Sequence, residues 1–128
     1  MDSKPGVAHH HAGGVAALGG VEAVVLVAGA VVDAVAVDQL EAELGPIQIM
    51  VHAAAIGSGK FGFPYTNLTP SDWRRVLEIN ILGMVNVAHV IGPRMISHGR
   101  GSMAFVASVA GQIGSQTDPP YSASKAAN

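Results

Sequence analysis

The sequence predicts an α/β fold with a parallel sheet flanked by helices, because short apolar runs alternate with segments of helical periodicity. The runs are rich in β-branched and small apolar residues and lack polar alternation, which is typical of strands buried on both faces of a parallel sheet. They cover residues 24–27, 47–55 and 102–107. Parallel strands joined through helices form right-handed crossovers. We therefore expect a partial sheet of about three strands with flanking helices.

Length and composition fit one domain with a buried interior. The chain has 128 residues, of which 49% are hydrophobic and 12% are charged, as in a folded domain rather than a disordered chain. The net charge of −2 offers no basic face, so no nucleic-acid partner is expected. Because the chain contains no cysteine, it has no disulfide framework, which favours a cytoplasmic location.

The first 14 residues are predicted to be a flexible tail, and residues 15–128 the folded domain. Three adjacent histidines, His9 to His11, point in different directions and lack a second ligand cluster, so a flexible or tag-like segment is favoured over a metal site. Residues 15–37 are almost continuously apolar. Glu22 and Asp33 argue against a membrane span there, because an acidic group at the bilayer centre costs about 3 kcal/mol. No membrane partner is expected.

Glycines and prolines divide the first half of the chain into elements. Residues 15–18 are predicted to be the end of a helix that a pair of glycines closes. The strand at 24–27 follows, and apolar residues then recur at helical spacing over residues 31–44. A Gly-Pro pair stops this helix and leads into the strand at 47–55. The small residues at the end of that strand let a ligand approach the backbone closely.

The longest helix is predicted to cover residues 70–97. Thr69 is a suitable N-cap, a proline follows at the first helical position, and Asp72 supplies the acid that closes a capping box. Apolar residues recur along one stripe of this helix. The third strand, 102–107, comes next, and another helix is expected to begin near Tyr121.

Ser108, Tyr121 and Lys125 form a pattern that can carry chemistry. Tyr121 and Lys125 are four residues apart and therefore share one face of a helix. A nearby ammonium favours the phenolate form of a tyrosine, which then acts as general acid or base while a serine hydroxyl holds a substrate oxygen. A pair of residues on a helix surface has the same spacing. Ser108 directly follows a buried strand, and ligands bind at the carboxyl ends of such strands, which favours the chemical interpretation.

From about Val15 to its end, the chain resembles the classical short-chain dehydrogenases/reductases, which are Rossmann-fold oxidoreductases. Three motifs in the family's order and spacing carry the resemblance: GPIQIMVHAAAI, LTPSDWRRVLEINILG, and SVAGQIGS followed by YSASKAA. The resemblance implies hydride transfer between NAD or NADP and a carbonyl or secondary alcohol. It also implies homo-oligomers that form through the helices starting at Pro70 and Tyr121.

The resemblance assigns roles to individual residues. It implies that Tyr121 donates or accepts the proton, that Lys125 stabilises its phenolate and holds the nicotinamide ribose, and that Ser108 polarises the carbonyl. Asn80, 28 residues before Ser108, matches the family's fourth catalytic residue, which holds a water in a proton relay. The backbone of three further residues would contact the cofactor: Ala53, Ala54 and Ala55.

The chain departs from the family pattern at its cofactor site. Where the family carries Asn-Asn-Ala-Gly, this chain has His52 followed by three alanines, which retain backbone contacts without the asparagine side chains. His52 is predicted to be a core histidine. Ala28 stands where an aspartate often reads the adenine. The glycine-rich turn that binds the pyrophosphate in this family is missing.

Two alignments account for the missing turn. In the favoured one, residues 15–28 correspond to the end of the family's second helix and its third strand, and the first two strands are absent. In the other, residues 24–30 are a degraded first strand and turn, in which Gly29 remains and Asp33 would repel a pyrophosphate. The favoured alignment leaves the strand at 24–27 without its family neighbour. We therefore expect it to pair with residues 49–51, through a short right-handed βαβ unit.

The sequence stops about two turns into the helix that begins near Tyr121, before the family's next strand and substrate lid. Two hypotheses about function follow. The chain is an oxidoreductase of the short-chain type, or it is a non-catalytic remnant without a cofactor site. Such a remnant would at most associate with other chains through its long helix and open sheet edge.

Overall fold

The computed structural model describes residues 7–10, 15–18, 23–27, 32, 34–62, 64–115 and 117–128, and the first three of these segments as backbone only. In this part of the chain, five strands form one sheet whose spatial order equals their order in the sequence. The strands are β1 Val7–His10, β2 Val15–Leu18, β3 Ala23–Val27, β4 Ile47–His52 and β5 Ser102–Phe105. Strands β1 to β3 pair in antiparallel fashion, whereas β3, β4 and β5 run parallel.

The parallel half of the sheet is built as predicted. Strand β3 lies beside β4, with Val24 opposite Ile49 and Leu26 opposite Val51, and β4 in turn pairs with β5. Helix α1, Ala34–Leu44, connects β3 to β4. The predicted pairing of this strand with residues 49–51 is confirmed, as is the α/β fold class with a parallel sheet.

The first strands correct the prediction. The expected helix end at residues 15–18 is wrong, because this segment is β2 and pairs with β3 from Val15 opposite Val27 to Leu18 opposite Val24. Without β2, one edge of β3 would expose a row of unpaired N–H and C=O groups. A four-residue segment can satisfy that edge but is too short to hold a helix by itself.

Strand β1 lies inside the segment that was predicted to be a tail. It pairs with β2, His9 opposite Ala16, so the sheet has five strands in the described residues rather than about three. The division into a tail and a domain at residue 14 stays a prediction. Several residues on which the sequence analysis relied lie outside the described part of the chain: His11, Gly19, Gly20, Glu22, Ala28, Gly29 and Asp33.

The long helix predicted for residues 70–97 is confirmed, with one feature that periodicity did not predict. Helix α2, Pro70–Leu77, and helix α3, Gly83–Ser97, are joined by a π-helical turn, Glu78–Leu82. The capping box is present, since Thr69 N donates to the Asp72 carboxylate at 2.7 Å and Asp72 N donates to Thr69 Oγ1 at 3.4 Å. Two helices follow β5: α4 Ala110–Ile113 and α5 Pro119–Ala126.

The core lies between the sheet and the helices α1 and α3. Eight buried apolar residues form it: Val32, Val37, Leu40, Ile47, Met50, Val87, Ile91 and Met95. At the edge of this core Arg94 of α3 forms ion pairs with Asp38 and Glu41 of α1, at 2.5 Å and 3.5 Å. Helix α5 packs on α2, and α4 packs on α5. These contacts hold the predicted site residues of α5 beside the sheet.

By length and composition alone, the helix from Pro70 to Ser97 could cross a membrane. One of its faces, which includes Val87 and Ile91, belongs to the core. Core helices of soluble proteins meet the same criteria, so a single helix of this kind is weak evidence for a membrane span.

Candidate active site

The predicted site residues come from three elements that meet beyond the carboxyl ends of β4 and β5. Asn80 lies in the π-helical turn, Ser108 lies in the loop after β5, and Tyr121 and Lys125 lie on α5. Parallel strands end at the same edge of a sheet, and this edge is where such folds bind ligands. The topology therefore places all four residues in one region.

Lys125 is a buried lysine whose ammonium is held by the backbone. It is 7% exposed, and its Nζ donates to the carbonyl oxygen of Val106, just after β5, at 2.5 Å. Val106 N donates to His52 O at 2.9 Å, so this carbonyl belongs to the ordered end of the sheet. Burial lowers the pKa of Lys125, because desolvation disfavours the charged amine.

Tyr121 precedes Lys125 by one helical turn and is half-buried. The ammonium nitrogen of Lys125 lies 5.9 Å from the centre of the Tyr121 ring, close enough for its charge to act on the aromatic system. Ser108 is also half-buried, and its Oγ accepts a hydrogen bond from Ala110 N at 3.2 Å. Within the described residues Ser108 and Tyr121 share no hydrogen bond. In the structure, Tyr121 and Lys125 therefore lie next to each other. Ser108 precedes α4 and is held near them because α4 packs on α5.

Gly111 is the point at which α4 contacts α5. A Cβ atom built on Gly111 would lie 2.6 Å from the backbone carbonyl carbon and oxygen of Lys125, far inside van der Waals contact. Glycine is therefore required for the two helices to approach this closely. Gly111 was not among the predicted site residues, although its place three residues after Ser108 was a visible signal.

Asn80 ties the loop after β4 to α5. It is 2% exposed, its Nδ2 donates to Ile56 O, and its Oδ1 accepts from Ile56 N, both at 2.8 Å. The same Nδ2 donates to Ser124 Oγ at 2.8 Å, and Ser124 Oγ donates to Tyr121 O at 2.7 Å. Ser124 was not predicted as a site residue. The π-helical turn that presents Asn80 is a type of irregularity that is frequent at functional sites.

His52 ends β4 as a core histidine, as predicted. It is 2% exposed, and its ring centre lies 6.1 Å from that of Phe105. Its Nε2 is buried and has no hydrogen-bond partner among the described residues. Burial, and to a smaller extent the charge of Lys125, lowers the pKa of His52. The imidazole is therefore neutral at pH 7.

The three residues after His52 were predicted to contact a cofactor through their backbone. Ala53 is exposed, Ala54 is buried and Ala55 is half-buried, so burial alternates along this segment. The contact itself stays a prediction.

A family model described as short chain dehydrogenase matches residues 15–128. The chain therefore belongs to the short-chain dehydrogenase family, and the resemblance carried by its motifs is confirmed.

Three relatives illustrate the similarity. Galactitol 2-dehydrogenase of Rhizobium johnstonii is 35% identical over 105 residues, which cover 77% of this chain and 40% of the relative. The structure of a gluconate 5-dehydrogenase from Burkholderia cenocepacia, in complex with NADP and tartrate, is 33% identical with a TM-score of 0.65, covering 73% of this chain and 36% of that one. An NAD+-bound xylitol dehydrogenase is 28% identical with a TM-score of 0.65, covering 73% and 35%. The chain thus spans between a third and two fifths of the length of these relatives.

The residues beyond β4 and β5 fit the nicotinamide end of such a cofactor. The ammonium of Lys125 has three N–H donors, of which Val106 O uses one. Tyr121 adds a hydroxyl one turn away on the same helix. Strand β3 occupies the place of a first strand beside β4, and the segment after a first strand is where the family binds the pyrophosphate. Residues 28–31 at that position lie outside the described part of the chain.

Proposed function

We propose that this chain is an NAD(P)-dependent oxidoreductase of the short-chain type, acting between a nicotinamide cofactor and a carbonyl or secondary alcohol. The observation that carries the proposal is the buried ammonium of Lys125, which is held by Val106 O one helical turn from Tyr121. Burying a lysine is unfavourable for stability, and one backbone carbonyl offsets this cost only in part. A role in proton transfer explains why the charge is kept there.

Tyr121 is the proposed proton donor and acceptor for the substrate oxygen. The ammonium of Lys125, 5.9 Å from the centre of the Tyr121 ring, supplies positive charge beside this residue, and Ser108 Oγ holds the substrate oxygen by a hydrogen bond. The nicotinamide supplies or takes up the hydride when it is bound. Asn80 holds the loop after β4 against α5 and is the proposed fourth member of the site.

Both NAD and NADP are proposed as cofactors, since one solved relative is bound to NADP and another to NAD+. The named relatives act on galactitol, gluconate and xylitol by their titles. Small polyhydroxylated alcohols and the corresponding ketones are therefore the first substrates to test. We propose a soluble protein, and its cytoplasmic location stays a prediction.

The test begins with cofactor binding by the purified 128-residue chain. Titration with NADH and with NADPH, followed by nicotinamide fluorescence, should give saturable binding below millimolar concentration. Tyr121→Phe should keep this binding and abolish turnover, whereas Tyr65→Phe, which changes an exposed tyrosine, should leave turnover unchanged. If neither NADH nor NADPH binds at millimolar concentration, the proposal is refuted for this chain.

A second candidate function is association without catalysis, and exposed apolar side chains along the long helix favour it. Leu82 and Val85 are 54% and 49% exposed. A cleft of about 510 Å³ on the same helix is lined by Pro70, Trp73, Arg74, Leu77, Glu78, Ile81 and Leu82. Exposed apolar patches of this kind often mark protein interfaces. The proposed partner is a second copy of this chain, bound through the helices that start at Pro70 and Tyr121.

Light scattering after size-exclusion chromatography separates the two candidates. Leu82→Glu should convert an oligomer into a monomer, whereas Ile96→Glu, at the end of the same helix and 82% exposed, should not. An oligomer that binds neither cofactor would favour association alone. A monomeric wild-type chain would exclude it.

A further inference from the structure

A second side chain, Asp118, ties the loop after β4 to α5, and the proposed reaction does not use it. Asp118 is 5% exposed and lies three residues before Tyr121. Its Oδ2 accepts a hydrogen bond from Ser58 N at 3.0 Å. Within the described residues it forms no ion pair with a lysine, arginine or histidine. Burying a carboxylate without a neighbouring cation is unfavourable, so the burial of Asp118 calls for a structural or functional explanation.

The place of Asp118 on its own helix makes this hydrogen bond informative. Asp118 is the N-cap of α5, where an aspartate usually accepts a hydrogen bond from an N–H group of the same helix. Its carboxylate makes no such bond. It turns instead to Ser58, which lies 60 residues earlier, while the backbone carbonyl of Asp118 accepts from Ser122 N at 3.1 Å. The carboxylate of Asp118 thus makes a long-range contact with Ser58 in place of a local helix cap.

Gly57 shows how closely the loop packs on this carboxylate. A Cβ atom built on Gly57 would lie 2.8 Å from Asp118 Oδ2. The preceding residue, Ile56, is held by Asn80 through two hydrogen bonds. The loop is therefore held by two side chains at positions two residues apart, Ile56 and Ser58. Both side chains lead to α5, Asn80 through Ser124 and Asp118 directly.

We propose that Asp118 is a positioning residue of the candidate active site. Through Ser58 and Gly57 it sets the first turn of α5, and with it the phenol of Tyr121, relative to the loop after β4. Its effect on turnover rests on the proposed function, whereas its effect on the loop and on α5 does not. A displacement of about 1 Å at a reacting group can lower a rate about 100-fold.

The structural part is tested by NMR on the isotope-labelled full chain without ligand. Asp118→Ala should speed hydrogen exchange at the Ser58 amide by about tenfold or more, because its acceptor is lost, and should shift the ring resonances of Tyr121. Asp118→Asn keeps an acceptor. It should bring both the exchange rate at the Ser58 amide and the ring resonances of Tyr121 back close to their wild-type values. The matched control is Asp38→Asn, which removes an exposed carboxylate on α1 and should change neither. Tyr65, the other of the two tyrosines, serves as the internal reference.

Gly57→Ala reaches the same contact from the loop and decides the outcome if Asp118→Ala does not fold. The added methyl group should displace the carboxylate and change the same signals. Gly92→Ala is its control, because a Cβ there would meet Met103 Cε at an ordinary 3.4 Å. Wild-type exchange at Ser58 together with wild-type Tyr121 resonances in the folded Asp118 or Gly57 variant would overturn the proposal.

Kinetics distinguish positioning from a general loss of structure. Asp118→Ala should lower kcat roughly 10- to 100-fold while the Kd for NADPH stays within about twofold of wild type. Equal losses of kcat and cofactor affinity would contradict a positioning role. If the wild-type chain binds neither cofactor, the proposed function fails, and the exchange at Ser58 still decides whether Asp118 holds the loop to α5.

Discussion

Asn80 and Ile56 are joined by two hydrogen bonds of 2.8 Å, in which the asparagine amide pairs with the backbone much as a neighbouring strand would. The two residues are 24 positions apart, one in the π-helical turn and the other in the loop after β4. A loop that leaves a sheet has unpaired backbone groups that need partners. The residue whose place in the family pattern suggested a catalytic role therefore also organises the loop.

Replacing Asn80 by alanine should lower the free energy of unfolding by about 2–4 kcal/mol, because both backbone groups of Ile56 lose a buried partner. Urea denaturation followed by circular dichroism measures the loss. Asn86→Ala, at an exposed position of α3, should change stability by less than about 0.5 kcal/mol. A loss below about 1 kcal/mol for the Asn80 variant would show that its hydrogen bonds are dispensable.

Lys125→Met should affect stability and turnover in opposite directions. Burial lowers the pKa of Lys125, so between that lowered value and the ordinary 10.5 the unfolded chain binds more protons than the folded one. Wild-type stability therefore rises with pH across this window, and the charge is most unfavourable for folding below it. The methionine variant should be at least as stable as wild type at pH 7, with an advantage that shrinks toward pH 10.5.

Urea denaturation of the Lys125→Met variant at several pH values measures this difference. Val106 O keeps one donor in this variant, Asn128 Nδ2 at 3.3 Å. Turnover should be abolished, because the site then lacks the positive charge that lies 5.9 Å from the centre of the Tyr121 ring. A methionine variant that is both less stable at neutral pH and fully active would contradict each half of the prediction.

His52 should make the fold sensitive to mild acid. Burial first, and the charge of Lys125 second, lower the pKa of His52 from 6.5, so below pH 6.5 the unfolded chain takes up a proton that the folded chain resists. Stability is therefore lost as the pH falls from 6.5 to the lowered value. His52→Gln should show a smaller drop in Tm between pH 7 and pH 5 than wild type. His89→Gln, at an exposed position of α3, should keep the wild-type pH dependence, and an unaltered dependence in the His52 variant would refute the assignment.

Gly111→Ala should separate α4 from α5. The added methyl group would lie 2.6 Å from the Lys125 backbone, so one helix must move, at a cost of about 1–3 kcal/mol. Because Ser108 precedes α4 and Tyr121 lies on α5, the proposed turnover should fall with stability. Thermal unfolding and turnover are the two measurements, and Gly92→Ala again serves as the control with room for a methyl group. A wild-type Tm and wild-type turnover would mean that the two helices accommodate the methyl group without cost.

The sequence by itself determined the parallel strands, the long helix and the family. Strong local signals need no tertiary information, and the capping box at Thr69 predicted the start of the long helix, as the structure confirms. Continuous apolar runs predicted the parallel strands, and the absence of a family neighbour for residues 24–27 correctly predicted that they lie beside Ile49 and Val51. The motifs from GPIQIMVH to YSASK were specific enough to place the chain among the short-chain dehydrogenases.

Only the tertiary structure decided how distant segments share their backbone groups and packing space. Residues 15–18 are a strand because they pair with the edge of β3, whose backbone N–H and C=O groups would otherwise be unpaired. No local pattern in this apolar segment indicates that pairing. Ser124 and Asp118 carry no signal in the sequence, and the signal of Gly111 does not reveal its partner. Their contacts with Asn80, Ser58 and Lys125 join segments far apart in the chain or packed helix against helix. Local periodicity reports which face of an element is apolar, whereas the partner of a buried polar group is set by how the elements pack together.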